Sequence, residues 1–127
     1  MEYDVRRALE EETEVLASFM TMQAMETEDK TLDPETIRAG VRGLFQRPQC
    51  GTYYVALHNE EIVAMMMIHH EMSLRMGGLI HWINSVYVMP AHRKQGVFTL
   101  LYNHVLKEAG NDVKCLRLYV DLDNTNA

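Results

Sequence analysis

The sequence lacks long apolar runs, is poor in proline and glycine, and has only two cysteines among its 127 residues. No stretch approaches the ~18 to 20 apolar residues that a membrane-spanning helix needs, so we expect no membrane partner. With 3 Pro, 7 Gly and 47% hydrophobic residues, the composition excludes collagen-like and disordered chains. Cys50 and Cys115 are too few for a disulfide framework and lack the spacing of a metal knuckle, so we interpret both as reduced thiols.

Basic residues are also scarce, because 12 Lys and Arg stand against 18 Asp and Glu and give a net charge of -6. A polyanion is repelled over most of such a surface, so we expect no nucleic-acid partner. An anionic ligand must then be bound locally, by oriented backbone N–H groups and a few basic side chains. Residues 1–7 have neither the basic nor the apolar segment of a secretory signal, which favours a cytoplasmic location.

The apolar residues that are present predict helices and strands in a single domain over residues 1–127. A first strand, from Tyr3 to Leu9, precedes two helices. The second helix has a clear start, because Asp33 can cap it and Pro34 suits its first position. The apolar positions of the first helix are Val15, Leu16, Phe19, Met22 and Met25, and those of the second are Ile37, Val41, Leu44 and Phe45. Both helices are therefore amphipathic.

From residue 51 onward the apolar period changes to that of strands. The predicted strands run from Thr52 to His58, Ile62 to Leu74, Leu79 to Met89 and Lys114 to Asp121. The first three are separated only by short turns and so predict an antiparallel meander. A helix starting at Val97 precedes the last strand and is expected to end in a left-handed C-cap at Gly110-Asn111. The fold class is therefore α/β (α+β), with a mixed, mostly antiparallel central sheet flanked by helices.

The segment between the meander and the third helix contains most of the chemistry. A strand runs into a short basic turn containing Gly96, and a helix opens directly after it. This arrangement points several backbone N–H groups and the positive end of a helix dipole at one spot, where a phosphate or pyrophosphate fits. Gly96 lets the backbone approach the ligand closely, and Arg93 and Lys94 supply positive charge. The alternative interpretation is a solvated basic turn without a ligand.

At these residues the chain resembles the GNAT superfamily of acetyl-CoA-dependent N-acetyltransferases. The signature of that family is an Arg or Gln, two residues, a Gly, one residue and a Gly or Ala, and the similar segment here is Arg93-Lys94-Gln95-Gly96-Val97-Phe98. Val86-Tyr87-Val88-Met89-Pro90 resembles the family's fourth strand, which splays from its neighbour and pairs its backbone with the pantetheine arm. The order strand, two helices, three strands, helix and strand also matches the family over essentially the whole chain.

One position departs from the signature, because Phe98 stands where the general pattern has a small residue. A GNAT subgroup with Phe at this place also has an acidic residue late in its third strand and similar fourth and fifth strands. The matching segments here are Glu71, Trp82-Ile83-Asn84-Ser85-Val86-Tyr87-Val88 and Arg117-Leu118-Tyr119-Val120. The resemblance implies transfer of acetyl from acetyl-CoA to a primary amine of a small molecule or peptide, by direct attack in a ternary complex.

The resemblance also implies which residues form the site. Acetyl-CoA is expected to be held by Val86, Tyr87, Val88, Arg93, Lys94, Gln95, Gly96, Val97, Phe98, Thr99 and Asn124. Direct attack needs a base for the amine proton and a hydrogen-bond donor for the thioester oxygen, for which the family usually uses the backbone N–H of Val88. In a regular strand, alternation puts Trp82, Asn84, Val86 and Val88 on one face, with Glu71 on the adjacent strand. The predicted catalytic residues are Glu71, as the base, Asn84 and Val88.

Other interpretations of these residues stay open. Glu71 can be a solvent-exposed carboxylate at a strand end. A metal cluster of Glu71 with three histidines, His69, His70 and His81, is disfavoured because His69 and His70 point to opposite faces of a strand. We therefore predict that no metal is bound.

The end of the sequence leads to two further expectations. Residues 124–127 resemble the start of the family's next helix, and the sequence stops before the final helix and strands. We expect a domain truncated after its fifth strand and, because a monomer would expose an apolar sheet edge, a homodimer. The alternative function is a non-catalytic CoA-binding or protein-interaction module of the same fold.

Overall fold

The computed structural model describes residues 2–118, in which a five-stranded sheet packs against three helices. The strands are β1 (Asp4–Arg7), β2 (Gly51–His58), β3 (Glu61–Ser73), β4 (Gly78–Val88) and β5 (Val113–Leu118). The helices are α1 (Thr13–Glu28), α2 (Pro34–Phe45) and α3 (Val97–Glu108). The part of the predicted last strand that follows Leu118 lies outside the described residues. The predicted order of elements and the α/β class are confirmed.

Strands that are consecutive in the chain are neighbours in the sheet, whose order is β1-β2-β3-β4-β5. The first three pairs are antiparallel and the last, β4 with β5, is parallel. The hairpin between β2 and β3 turns at Asn59 and Glu60, whose φ angles of 50° and 67° belong to the tight turn that matches strand twist. Between β4 and β5, α3 provides the crossover that a parallel pair requires. The predicted mixed, mostly antiparallel sheet is therefore confirmed.

Helices cover both faces of the sheet. On one face, here called the α1–α2 face, the two first helices cover the buried side chains of Tyr53, Val55, Met65, Met67 and Tyr87. On the other, the α3 face, α3 covers those of Tyr54, Ala56, Ala64, Met66, Ile68 and Ile83. The run Met65-Met66-Met67 fills both layers, because consecutive strand residues point to opposite faces and unbranched thioether side chains fit irregular gaps. Burial of each of these three Met side chains contributes about 1.5–3 kcal/mol to the stability of the fold.

The buried stripe of α1 differs from the predicted one. Val15, Met22 and Met25 are at least 37% exposed, so the prediction is wrong for these three residues. The buried positions of the helix are Thr13, Leu16, Ala17, Phe19 and Ala24. The helix therefore buries two alanines in place of two of the methionines.

The end of α3 also differs from the prediction. A left-handed C-cap at Gly110-Asn111 is wrong, because Ala109, directly after the helix, is extended with φ -63° and ψ 123°. The chain turns at once toward β5, and the N–H of Val113 donates to the Gly110 carbonyl over 3.1 Å. This turn leaves no room for the extra residues of a left-handed cap. Such a cap is found after α1 instead, where Asp29 has φ 53°.

Candidate functional site

The middle of β4 contains a bulge at Asn84. In the register with β3, Met67 lies opposite Ser85 and the next residue, Ile68, lies opposite Ile83, so Asn84 is the extra residue. On the other side of β4, parallel pairing with the described part of β5 continues only as far as Ile83. A bulge bends its strand and disturbs the local pairing. Pairing with β3 resumes at Ser85, and the described part of β5 ends at Leu118, opposite Ile83.

The bulge separates residues that regular alternation would place together. Val86 and Val88 pack against the buried layer of the α3 face. Trp82 lies opposite His69, which continues the series of β3 residues on the α1–α2 face. The expectation that Trp82, Asn84, Val86 and Val88 share one face is therefore wrong, because one extra residue reverses the alternation on one side of it.

The second half of β4 directs backbone groups to the edge that faces away from β3, here called the outer edge. The N–H of Met89 donates to the Val63 carbonyl over 2.9 Å, so this residue faces β3. Because alternate residues of a strand direct their N–H and C=O groups to opposite sides, those of Val86 and Val88 point away from β3. This is the edge along which β5 pairs with the first half of β4, as far as Ile83 and Leu118, the last described residue.

Side chains of the protein form hydrogen bonds to the Val86 and Val88 carbonyls on the outer edge. Gln23 Nε2 donates to the Val86 carbonyl and Arg93 Nε donates to the Val88 carbonyl, each over 2.9 Å. Backbone carbonyls accept up to two hydrogen bonds, whereas each N–H has one to give. The N–H groups of Val86 and Val88 are therefore the candidate donors of this edge for a ligand.

The loop after β4 leads to an uncapped helix start. Gly96 is the N-cap of α3, with φ 80°, and no side chain in residues 2–118 caps it. The N–H of Leu100 makes the first helical bond, to the Gly96 carbonyl, so the N–H groups of Val97, Phe98 and Thr99 have no partner in the helix. A Cβ added at Gly96 would meet no atom within 4 Å. The space in front of these groups is open and suits an anion such as a pyrophosphate.

The aromatic ring of Phe98 does not close this space. The ring stacks on Tyr102, one turn further along α3, with a centroid distance of 6.2 Å and an interplanar angle of 20°. Phe98 takes the place of a small residue in the family signature. Its side chain nevertheless does not reach the position that a Cβ on Gly96 would occupy.

The guanidinium of Arg93 is held by a carboxylate of α1. Its Nη2 lies 2.7 Å from Glu26 Oε2, and it also stacks over the Tyr87 ring at 5.4 Å. The Tyr87 hydroxyl donates to the other Glu26 oxygen over 3.1 Å. Burial, and then this contact with Glu26, raises the pKa of Tyr87. Arg93 thus joins α1 to β4. Lys94 is the cation of the loop that forms no ion pair within residues 2–118.

Gln23 and Glu26 were not among the predicted site residues. Both lie near the C-terminal end of α1, three residues apart, so their spacing puts them on one helix face. That signal is present in the sequence, but the strand residues that they contact are more than 60 positions away.

A cavity of about 510 Å³ adjoins the bulge. It is lined by Gln49, Cys50, His69, His70, Glu71, Trp82 and Asn84. The structure therefore brings together Glu71 and Asn84, two of the three predicted catalytic residues. Val88, the third, lies further along the outer edge of β4. Trp82 Nε1 donates to Glu71 Oε2 over 3.2 Å. The Arg117 guanidinium stacks over the Trp82 ring at 5.4 Å.

The histidines near the cavity are arranged in a pair rather than in a cluster with Glu71. His70 stacks on His81 with a centroid distance of 4.3 Å, and burial lowers the pKa of both. Among residues 2–118, no group of three or more His, Cys, Asp or Glu side chains is placed to hold a metal ion. The predicted contact of Asn124 with acetyl-CoA lies outside the described residues.

The chain belongs to the acetyltransferase (GNAT) family, whose model matches residues 10–127. That family uses acetyl-CoA, and its fold is the one described above. The resemblance inferred from the loop after β4 and from the order of elements is therefore confirmed. No curated protein matches the chain. No helix in residues 2–118 is long and apolar enough to cross a membrane.

Solved structures of acetyltransferases are similar to this chain. A possible acetyltransferase from Clostridium difficile 630 is 31% identical, with a TM-score of 0.90, and the match covers 99% of this chain and 84% of that one. A predicted acetyltransferase with acetyl-CoA from Clostridium acetobutylicum is 16% identical, with a TM-score of 0.78 over 95% of this chain and 82% of that one. An aminoglycoside acetyltransferase from an uncultured soil metagenomic sample is 20% identical, with a TM-score of 0.74 over 96% and 82%. The last two support the fold alone.

Proposed function

We propose that the protein is an N-acetyltransferase that transfers acetyl from acetyl-CoA to a primary amine of a small molecule or peptide, by direct attack in a ternary complex. The observation that carries this proposal is the continuity of the site. The outer edge of β4 leads from the cavity with Glu71 at one end to the loop before the uncapped start of α3 at the other.

Acetyl-CoA supplies the acetyl thioester, and the protein's residues are assigned the remaining tasks. The N–H groups of α3's first turn, at Val97, Phe98 and Thr99, would hold the pyrophosphate, with Gly96 leaving the space and Lys94 adding charge. Gln95 lies in the same loop. Backbone donors suit this task because they are fixed by the fold and need no side-chain ordering.

The outer edge and the cavity would carry out the chemistry: stabilisation of the thioester oxygen and removal of the amine proton. Val86 and Val88 would bind the pantetheine arm through their N–H groups, and the N–H of Val88 would donate to the thioester oxygen as negative charge develops on it. Tyr87, between them, would border this arm through its link to Glu26. Glu71 would take the proton of the acceptor amine, and Asn84 lies beside it with an amide that can orient the amine.

The first experiment measures the thermal unfolding midpoint of the chain with and without acetyl-CoA, with free CoA as a control. A ligand at ~100 times its Kd stabilises the folded state by about 2.7 kcal/mol, which raises the midpoint by several degrees in a domain of this size. No rise with either ligand, in a folded sample, would contradict the cofactor site.

Turnover of an amine panel then separates the enzyme from the alternative, a non-catalytic CoA-binding or interaction module. The assay follows release of the CoA thiol with polyamines, aminoglycosides and peptide N-termini as acceptors. Binding without release for any amine favours the alternative. The homodimer stays a prediction, which light scattering of the purified chain tests.

A further inference from the structure

One hydrogen bond joins two side chains that line the cavity. Trp82 Nε1, on β4, donates to Glu71 Oε2, on β3, over 3.2 Å. It therefore occupies one of the two carboxylate oxygens and leaves the other for a substrate. We propose that Trp82 is a positioning residue for Glu71, which it holds in one orientation at the cavity. This inference rests on the proposed function, in which Glu71 takes the amine proton.

The geometry of the two strands makes this contact possible. Trp82 lies directly opposite His69, so Glu71, two residues further along β3, is its diagonal neighbour on the same face. Diagonal neighbours in an antiparallel pair are ~7–8 Å apart at the backbone, a distance that a Trp side chain can span and a shorter side chain cannot. The bulge at Asn84, two residues later, ends this regular register. Trp82 is thus within the last regular stretch of β4 before the bulge.

The indole ring is itself held in place from the neighbouring strand. Arg117 of β5 is the parallel partner of Trp82, and its guanidinium lies 5.4 Å from the ring centroid. A cation over an aromatic face is an attractive contact that restricts both side chains. Three strands therefore contribute one side chain each to a row, Arg117, Trp82 and Glu71, that ends at the cavity.

The chemistry of the indole suits a positioning role. Glu71 is exposed, so without a partner its carboxylate samples several rotamers, and each productive encounter must select one of them. The indole N–H donates but cannot accept a hydrogen bond, so Trp82 fixes the carboxylate without competing for the proton that Glu71 is to take. The inferred effect is on the rate of the chemical step and not on binding of acetyl-CoA.

The kinetic test compares Trp82→Phe, Glu71→Gln and the double variant. Trp82→Phe removes the donor and keeps an aromatic ring, and we expect kcat to fall about tenfold, the effect of losing one hydrogen bond to a charged group. The KM for acetyl-CoA should stay within about twofold, because the contact acts at the chemical step. In the Glu71→Gln background, Trp82→Phe should cause no further loss of kcat, because the carboxylate that it positions is gone.

A matched control removes a similar donor elsewhere. The Tyr54 hydroxyl lies 3.5 Å from Glu108 Oε1 on the opposite face of the sheet, so Tyr54→Phe also deletes an aromatic donor to a carboxylate. We expect its kcat to equal that of the wild-type chain.

A second readout does not depend on turnover. The sequence contains one Trp, so the indole N–H gives a single, unambiguous resonance in a nitrogen–proton correlation spectrum. This resonance should shift as Glu71 gains or loses its proton. His69 and Arg117 also lie near the ring, so the spectrum of Glu71→Gln isolates the contribution of Glu71, and the acid part of the shift should disappear in that variant.

Four results would overturn the inference. Equal titration of the indole resonance in the wild-type chain and in Glu71→Gln would show that the contact does not form. An unchanged kcat in Trp82→Phe, or the same loss of kcat in the Glu71→Gln background, would show that the contact has no role in positioning. A wild-type chain that binds acetyl-CoA and acetylates no amine would overturn the proposed function and this role with it, and wild-type turnover alone distinguishes that case.

Discussion

The Gly96 loop and the cavity are the two halves of one candidate site, and they are built in different ways. The loop is a continuous stretch, residues 93–99, whose binding groups are backbone N–H groups at the start of a helix. The cavity takes side chains from two strands and from the segment before β2, including Glu71, Trp82 and Asn84. The loop therefore depends on backbone conformation, and the cavity depends on functional groups brought together by sheet register.

This difference predicts different sensitivities to substitution. A change in the backbone conformation of the loop should remove binding, because all of its donors are positioned together. A change of one functional group in the cavity should leave acetyl-CoA bound and slow the reaction. The substitutions below test this separation.

The largest expected effect is that of Gly96→Val, which should abolish acetyl-CoA binding. Gly96 has φ 80°, a conformation that β-branched residues rarely adopt, and its side chain would project into the open space before α3. We expect no rise of the unfolding midpoint with acetyl-CoA. The control is Gly110→Val, because Gly110 lies outside the left-handed region and its Cβ would also meet open space. Full affinity in Gly96→Val would refute the assignment of the loop.

Glu71→Gln should lower kcat at neutral pH by at least a hundredfold, in the range of a lost general base, and leave acetyl-CoA affinity unchanged. Glu61→Gln, at the opposite end of the same strand, is the control and should keep wild-type turnover. Steady-state kinetics together with the thermal shift separate the two effects. Unchanged turnover in Glu71→Gln would mean that another group or a water chain takes the proton.

The two loop cations should behave differently although they are adjacent. Lys94→Gln should weaken acetyl-CoA binding by up to about fivefold, the effect of one exposed ion pair, and the loss should shrink in high salt. Arg93→Gln should mainly lower the unfolding midpoint by a few degrees, because it removes the pair with Glu26 and the bond to the Val88 carbonyl. Calorimetric titration at two salt concentrations measures the affinities. The reverse pattern would identify Arg93 as the ligand of the phosphates.

The smallest expected effect is a loss of stability in mild acid. Burial lowers the pKa of His70 and His81 below the ordinary 6.5, so the folded state binds these protons less readily than the unfolded chain. Stability is therefore full above about pH 6.5 and decreases as the pH falls below it. His81→Phe keeps an aromatic ring against His70 and should flatten this decrease below about pH 6.5, whereas His69→Phe, at an exposed position, should not.

A carboxylate adds to this loss at lower pH. Burial alone would raise the pKa of Glu108, but hydrogen bonds from Arg7 and His104 outweigh it and hold the pKa below its ordinary 4.5. The stability that this ionised group contributes is lost as the pH falls below about 4.5. Unfolding midpoints measured between pH 7 and 4 test both contributions, and a midpoint independent of pH over this range would contradict them.

Much of the fold was predictable because its signals are local. The change of apolar period near residue 51, the Asp33-Pro34 helix start and the turn at Asn59 each depend on a few neighbouring residues. The loop around Gly96 was predictable for the same reason, since a strand, a glycine and a helix start are adjacent in the chain. The proximity of Glu71 to Asn84 also followed from the expected antiparallel pairing of their strands.

The errors arise where one residue or one distant contact decides the outcome. A single extra residue at Asn84 reverses the alternation of β4, and no local signal distinguishes it from a regular strand. The contact of Arg93 with Glu26 was not predicted, because it depends on where the end of α1 lies over the sheet, 67 residues away in the chain. The buried positions of α1 were partly misassigned because hydrophobicity ranks Met above Ala, whereas the helix buries Ala17 and Ala24.

The order of helices and strands could be predicted from the sequence, as could the class of sheet and the loop with backbone donors for an anion, because each follows from residues that are neighbours in the chain. The folded chain was needed to show the bulge of β4 at Asn84, the hydrogen bonds of Gln23 and Arg93 to carbonyls of β4, and the contact of Trp82 with Glu71. These features depend on strand register and on the position of α1 over the sheet. Both are set by the packing of the whole core, in which residues far apart in the chain must fit one another.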